Sequence, residues 1–175
     1  MKKSIGIRQH PVKSARPAKA PKDNLASESG RTAAGDAFSG LAMYVLRLHG
    51  LLAAAGDELA RPAGQTSARW QVLAAIEDRP KTVAHIARIL GLARQSVQRV
   101  ADVLERDGLA EYEANPDHLR AKLLKLTATG HGALRSIQSK QRAWADALGA
   151  QIGEAKLRQA AAVLAEVFQK LQSNA

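Results

Sequence analysis

A mainly α protein carrying one small β-hairpin is the fold class this chain predicts, and three observations lead there. Hydrophobic residues make up 46% of the sequence but aromatics only 3%, so a core has to be assembled from Ala, Leu, Val and Ile. From residue 36 onward, apolar side chains recur mostly at the i, i+3, i+4, i+7 spacing of helices with one buried face. That period gives way to two short strand-like runs at residues 109–113 and 122–126, on either side of the turn-forming Asn115-Pro116-Asp117.

Taken in order, residues 1–35 hold Pro11, Pro17 and Pro21 and eight Lys or Arg against Asp23 and Glu28, a net +6. They show no sustained apolar period, so a disordered basic tail is expected. Residues 36–175 then form a single domain. Its first helix runs to about Arg61 on a stripe of Phe38, Leu41, Val45, Leu48, Leu52, Ala55 and Leu59, with Pro62 and Gly64 ending it. A second helix, from Thr66 or Ser67 to about Asp78, turns Trp70, Leu73, Ala74 and Ile76 inward.

Thr82 is placed to cap a third helix, whose buried face is Val83, Ile86, Ala87 and Leu90. After Gly91 and Leu92, Val97, Val100, Ala101 and Leu104 repeat the spacing and leave Gln95, Gln98, Arg99 and Asp102 on the solvated side. Two such helices joined by a short Gly-containing turn make a helix-turn-helix, whose second helix can enter a DNA major groove. The hairpin that follows brings Arg120 and Lys122 near its tip. Thr127 then caps a long helix with Leu134, Ile137, Trp144, Leu148 and Ile152 on one face, and a last helix carries Leu157, Ala161, Leu164, Val167, Phe168 and Leu171. A compact part over residues 62–127 is thus flanked by helices over 36–61 and 128–172. A helix of about 25 residues is about 37 Å long, more than so small a part can cover. The simplest cover for the surplus stripes is a second copy of the chain.

Charge and motif content narrow the function classes. The net charge is +10, but outside the tail it is only +4, so individual arginines say more than the total. With no cysteine there are no disulfides, thiolate metal sites or cysteine nucleophiles. His10, His49, His85, His118 and His131 form neither HxxxH nor HExxH, and GxSxG, P-loop and GxGxxG motifs are absent. No metal, cofactor or catalytic site is therefore expected. No apolar run is expected to approach the about 20 residues of a membrane span, and the basic N-terminus lacks a secretory apolar segment. The expected location is the cytoplasm, without a membrane partner.

Three stretches carry a family resemblance: Ser67-Ala68-Arg69-Trp70-Gln71-Val72-Leu73, Arg94-Gln95-Ser96-Val97-Gln98-Arg99, and Asn115-Pro116-Asp117 through Arg120-Ala121-Lys122-Leu123 into Leu126-Thr127. In this order they resemble the MarR family of winged-helix transcriptional regulators, over roughly residues 36–171. The resemblance implies a homodimer with interleaved terminal helices, bound to a palindromic operator on double-stranded DNA, with promoter occlusion, that is repression, as the usual outcome. Arg94, Gln95, Ser96, Gln98 and Arg99 would meet the major groove. There Arg can bond guanine bidentately and Gln adenine. His118, Arg120 and Lys122 would serve the wing, with Arg120 in the minor groove and Lys122 on phosphate.

Two positions depart from the pattern: Ala93 replaces the usual Ser or Thr cap, and His118 stands where relatives carry Asp. The lack of cysteine also separates the chain from the family's thiol-based oxidant sensors. Tyr44, Arg47, His49, Arg69, Trp70 and Trp144 mix cationic and aromatic groups near the region where relatives often bind small aromatic or phenolic acids. An Arg beside aromatic faces would suit such a carboxylate effector; core packing is the plainer alternative. The competing function is a winged-helix protein-interaction module that reads no DNA. Such a module predicts a helix face depleted of basic residues, where this one holds Arg94 and Arg99.

Overall fold

The computed structural model describes residues 30–118 and 120–174; the expected tail lies outside them as far as residue 29. The chain divides after Val45 into two units. Helix α1, Ala33–Ala60, begins in the first and ends in the second. It starts ahead of the expected Asp36 because Thr32 caps it: the Thr32 Oγ1 accepts the Gly35 N–H at 3.1 Å. A 3-10 turn, Arg61–Ala63, ends the helix, with Pro62 unable to supply the next N–H and Gly64 at φ 70°. Over Ala33–Ala63 the mean hydropathy reaches 1.4, long and apolar enough by length and composition to cross a membrane. That corrects the expectation of no such run. Between residues 37 and 56 only Arg47 is formally charged, and the interspersed Ala and Gly disguise the stretch's apolar character.

Helix α2, Ser67–Ala75, is anchored twice at its start: Thr66 Oγ1 accepts the Arg69 N–H, and Asp57 of α1 accepts the Ser67 N–H at 2.7 Å. It stops short of the expected Asp78. Leu73 and Ile76 are buried as expected and Trp70 is half-buried, but Ala74 is exposed and Val72 goes inward instead. A few residues on, the chain forms a strand the sequence did not suggest, β1, Lys81–Thr82. Two residues are too few to display alternation. The sheet therefore has three antiparallel strands, in the order β1-β3-β2, with β2 at Ala110–Glu113 and β3 at Leu123–Leu126.

Between β1 and β2 lie α3, Val83–Leu90, and α4, Arg94–Arg106. Thr82 Oγ1 caps α3 through the His85 N–H at 3.2 Å. Gly91 then turns the chain at φ 64°, a conformation that costs a residue with a Cβ free energy, while Leu92 N–H bonds back to Ala87 O at 3.0 Å. Leu73, Ile76, Ile86, Leu104, Leu124 and Leu134 are all within 2% of full burial and hold α2, α3, α4, the sheet and the next helix together.

That next helix is α5, Ala128–Ile152, followed by α6, Glu154–Ser173. Thr127 locks the start of α5 to the turn after α4: its hydroxyl donates to Gly108 O at 2.7 Å and accepts the Gly130 N–H at 3.1 Å. The helix and the backbone just before β2 approach so closely here that a Cβ on Gly130 would lie 1.9 Å from Leu109 O. Farther along, burial fades. Leu134 and Ile137 are buried, Trp144 is half-buried, Leu148 and Ile152 are exposed, and α6 buries no residue.

Candidate nucleic-acid interface

Helix α4 owes its orientation to its apolar side. Val97, Ala101 and Leu104 are buried, which turns Gln95, Arg99, Asp102 and Arg106 toward solvent, with Arg94 and Ser96 exposed in the first turn. Neither Arg94 nor Arg99 pairs with an acid among the described residues. Their guanidinium groups are free to meet base edges or phosphates. Ala93 at the N-cap makes no side-chain bond, as its methyl dictates.

Gln98 behaves differently from its neighbours. It is half-buried, and its Nε2 donates to Asp102 Oδ1 at 2.7 Å and to the Tyr112 hydroxyl at 2.8 Å. The Tyr112 hydroxyl donates in turn to the same Asp102 oxygen at 3.2 Å. Burial, and after it the nearby Asp102 carboxylate, pushes the Tyr112 phenol up to about 12. Since Tyr112 belongs to β2, this ring of bonds ties the first strand of the wing to α4. The i, i+4 spacing could have signalled the Gln98–Asp102 contact. Nothing local in the sequence signals Tyr112, which reaches α4 only after the chain has turned.

The wing is braced on its other face. Glu111 lies directly opposite Lys125, and the Lys125 ammonium reaches Glu111 at 3.2 Å and Glu113 at 3.0 Å. Hydrogen bonds to Glu113 and Glu111 hold that amine above the ordinary lysine range. At the tip, Asn115 Oδ1 accepts the Asp117 N–H at 3.0 Å, a short side-chain turn that lets the strands reverse. His118, Arg120 and Lys122 lie along this tip, and all three are exposed.

The residues considered for a small ligand are only partly gathered. Trp70, Trp144 and His49 line one groove of about 630 Å³, together with Gln71, Gln141 and Leu92. Gln71, Gln141 and Leu92 carried no sequence signal for this role. Arg47 is exposed and does not line the groove, and Tyr44 is exposed in the other unit. Arg69 also lies outside the lining, with its guanidinium 3.2 Å from Asp107. The expected Arg-bearing carboxylate clamp is not assembled among these residues. What the groove offers is apolar and aromatic surface with amide and imidazole groups. No cluster of His, Asp and Glu suited to a metal occurs among the described residues.

Comparison with known proteins bears on this geometry. A family model described as MarR family matches residues 63–121, the stretch from the end of α1 into the wing. An uncharacterized protein of Mycobacterium tuberculosis is 45% identical over 105 residues, which cover 60% of this chain and 73% of that protein. Among solved structures, a MarR family transcription regulator superposes with a TM-score of 0.69 at 20% identity, over 81% of this chain and 97% of the other. The Mycobacterium tuberculosis transcriptional regulator MosR, solved in complex with DNA, gives 0.62 at 27% identity, over 74% and 96%.

Proposed function

The chain belongs to the MarR family, whose fold and transcription-regulator relatives it shares, and from that premise we propose that it is a sequence-specific regulator binding a palindromic operator as a homodimer. The observation that carries the proposal is α4 itself: a helix fixed by its buried Val97, Ala101 and Leu104, with Arg94, Gln95, Ser96 and Arg99 exposed. Two such helices on a two-fold axis fit successive major grooves, about one helical turn apart. Arg94 and Arg99 read base edges with Gln95 and Ser96 beside them. Arg120 enters the flanking minor groove, His118 lies next to it, and Lys122 meets phosphate. The DNA complex of MosR, a relative in fold at 27% identity, supports this mode.

The dimer rests on the exposed apolar side chains of the flanking helices. Leu157, Val163, Leu164, Phe168 and Leu171 of α6 and Leu46, Leu48, Leu51 and Leu52 of α1 are all exposed in one chain. A second copy covers them and brings two readers to one site. This also accounts for α1 without a bilayer, so the protein works in the cytoplasm as a repressor at its operator, and we assign it no catalytic step.

The groove beside Trp70 and Trp144 takes a small, largely apolar aromatic effector. Leu92, in the turn that leads into α4, lines it, so an occupant touches the support of the reading helix directly. The test is selection of genomic fragments bound by the full chain against excess competitor DNA. An enriched inverted repeat is expected; recovery of no common sequence would overturn the reading.

A further inference from the structure

Resting on that DNA-reading role of α4, we propose that Asp102 and Tyr112 are positioning residues that make Gln98 an acceptor only. Gln98 then selects a base bearing a major-groove amino group, cytosine or adenine, instead of bonding adenine bidentately. A glutamine amide has two N–H donors and one carbonyl. Both donors are directed within the protein, at 2.7 Å to Asp102 Oδ1 and 2.8 Å to the Tyr112 hydroxyl. The ionised Asp102 carboxylate can only accept, so the nitrogen of the amide, not its oxygen, must face it. The Tyr112 hydroxyl accepts from Gln98 and donates to Asp102 at 3.2 Å, which closes the ring.

The consequence for base reading is chemical. Bidentate pairing with adenine needs an N–H aimed at N7 as well as a carbonyl aimed at the N6 amino group. The clasp occupies the first and leaves the second. In the major groove the amino donors are cytosine N4 and adenine N6, whereas guanine and thymine present only acceptors there. With its phenol pKa pushed up to about 12 by burial and the Asp102 charge, Tyr112 keeps its proton, and with it the donor half of the clasp, at neutral pH.

Selection from randomised duplexes tests this with the full chain. Gln98→Ala identifies the base pair that residue 98 faces, as the position where preference is lost. There the parent protein should take cytosine and adenine within about threefold of each other and reject guanine and thymine. In Asp102→Ala/Tyr112→Phe the amide is released, and adenine should exceed cytosine by about tenfold or more, the scale of a bidentate contact. Removing the Asp102 charge raises affinity for all sequences alike, so base preference and not affinity is the readout. Should the double variant fail to fold, Tyr112→Phe alone frees one N–H and should shift the preference the same way. Strict adenine selection by the parent that neither clasp variant changes would overturn the inference, as would a Gln98→Ala variant with unaltered preferences. If the parent enriches no sequence at all, the DNA-reading proposal itself fails, and the inference falls with it.

Discussion

Helices α4 and α6 are written in the same periodic language yet meet opposite fates in a single chain. Helix α4 sends Val97, Ala101 and Leu104 into a closed core, while α6 repeats the pattern with Leu157, Leu164 and Leu171 and buries nothing. Periodicity announces that a face wants cover. It does not say whether the cover comes from the same chain. The difference separates a core closed within one chain from flanking helices whose apolar surface stays exposed in it.

The comparison is broken most severely by truncating side chains on both sides of it. Leu104→Ala or Ile86→Ala should cost about 2–5 kcal/mol, the scale of a cavity in a closed core, measured by urea unfolding. The equivalent Leu164→Ala should cost under about 0.5 kcal/mol in dilute solution, as a surface change does, and show instead as weaker self-association in sedimentation. An equal loss from both at the lowest concentration would mean that α6 is covered within one chain.

Two glycines of α5 sharpen the contrast. Gly130→Ala drives a Cβ to 1.9 Å from a backbone oxygen, and should destabilise by about 1–3 kcal/mol or more. At Gly132, on the next turn's side of the same helix, an added Cβ would meet nothing within 4 Å. Its change to Ala should stabilise by about 0.5–1 kcal/mol in thermal melts, through helix propensity alone.

At the reading face, Arg94→Ala or Arg99→Ala should weaken specific DNA binding by about 1–3 kcal/mol in competition assays while leaving the melting temperature unchanged. A loss of stability instead would recast these arginines as parts of the scaffold.

Helix starts at Thr66, Thr82 and Thr127, the Gly91 turn and most of the core were legible in the sequence because they rest on local chemistry and short periods. The two-residue strand β1 was not, since it exists only through its partner β3. At the site, the solvent-facing position of Arg99 could be read from spacing. The diversion of Gln98 to Tyr112 and of Arg69 to Asp107 could not, because both partners arrive by tertiary folding.

The smallest effect expected is a titration. In a Tyr44→Phe background Tyr112 is the only tyrosine, and its absorbance should change with a midpoint near about 12 instead of the ordinary 10.0. Because the folded value is raised, the associated stability is intact below about pH 10 and lost as pH rises through about 12. A midpoint at the ordinary value would remove the clasp between wing and reader.

Sedimentation of the protein on its best selected duplex tests most directly whether two chains read one site through α4. Two chains per duplex are predicted, bound with an affinity that Arg94→Ala/Arg99→Ala lowers to that for random DNA. A single chain per duplex, or a double variant that binds like the parent, would contradict the account.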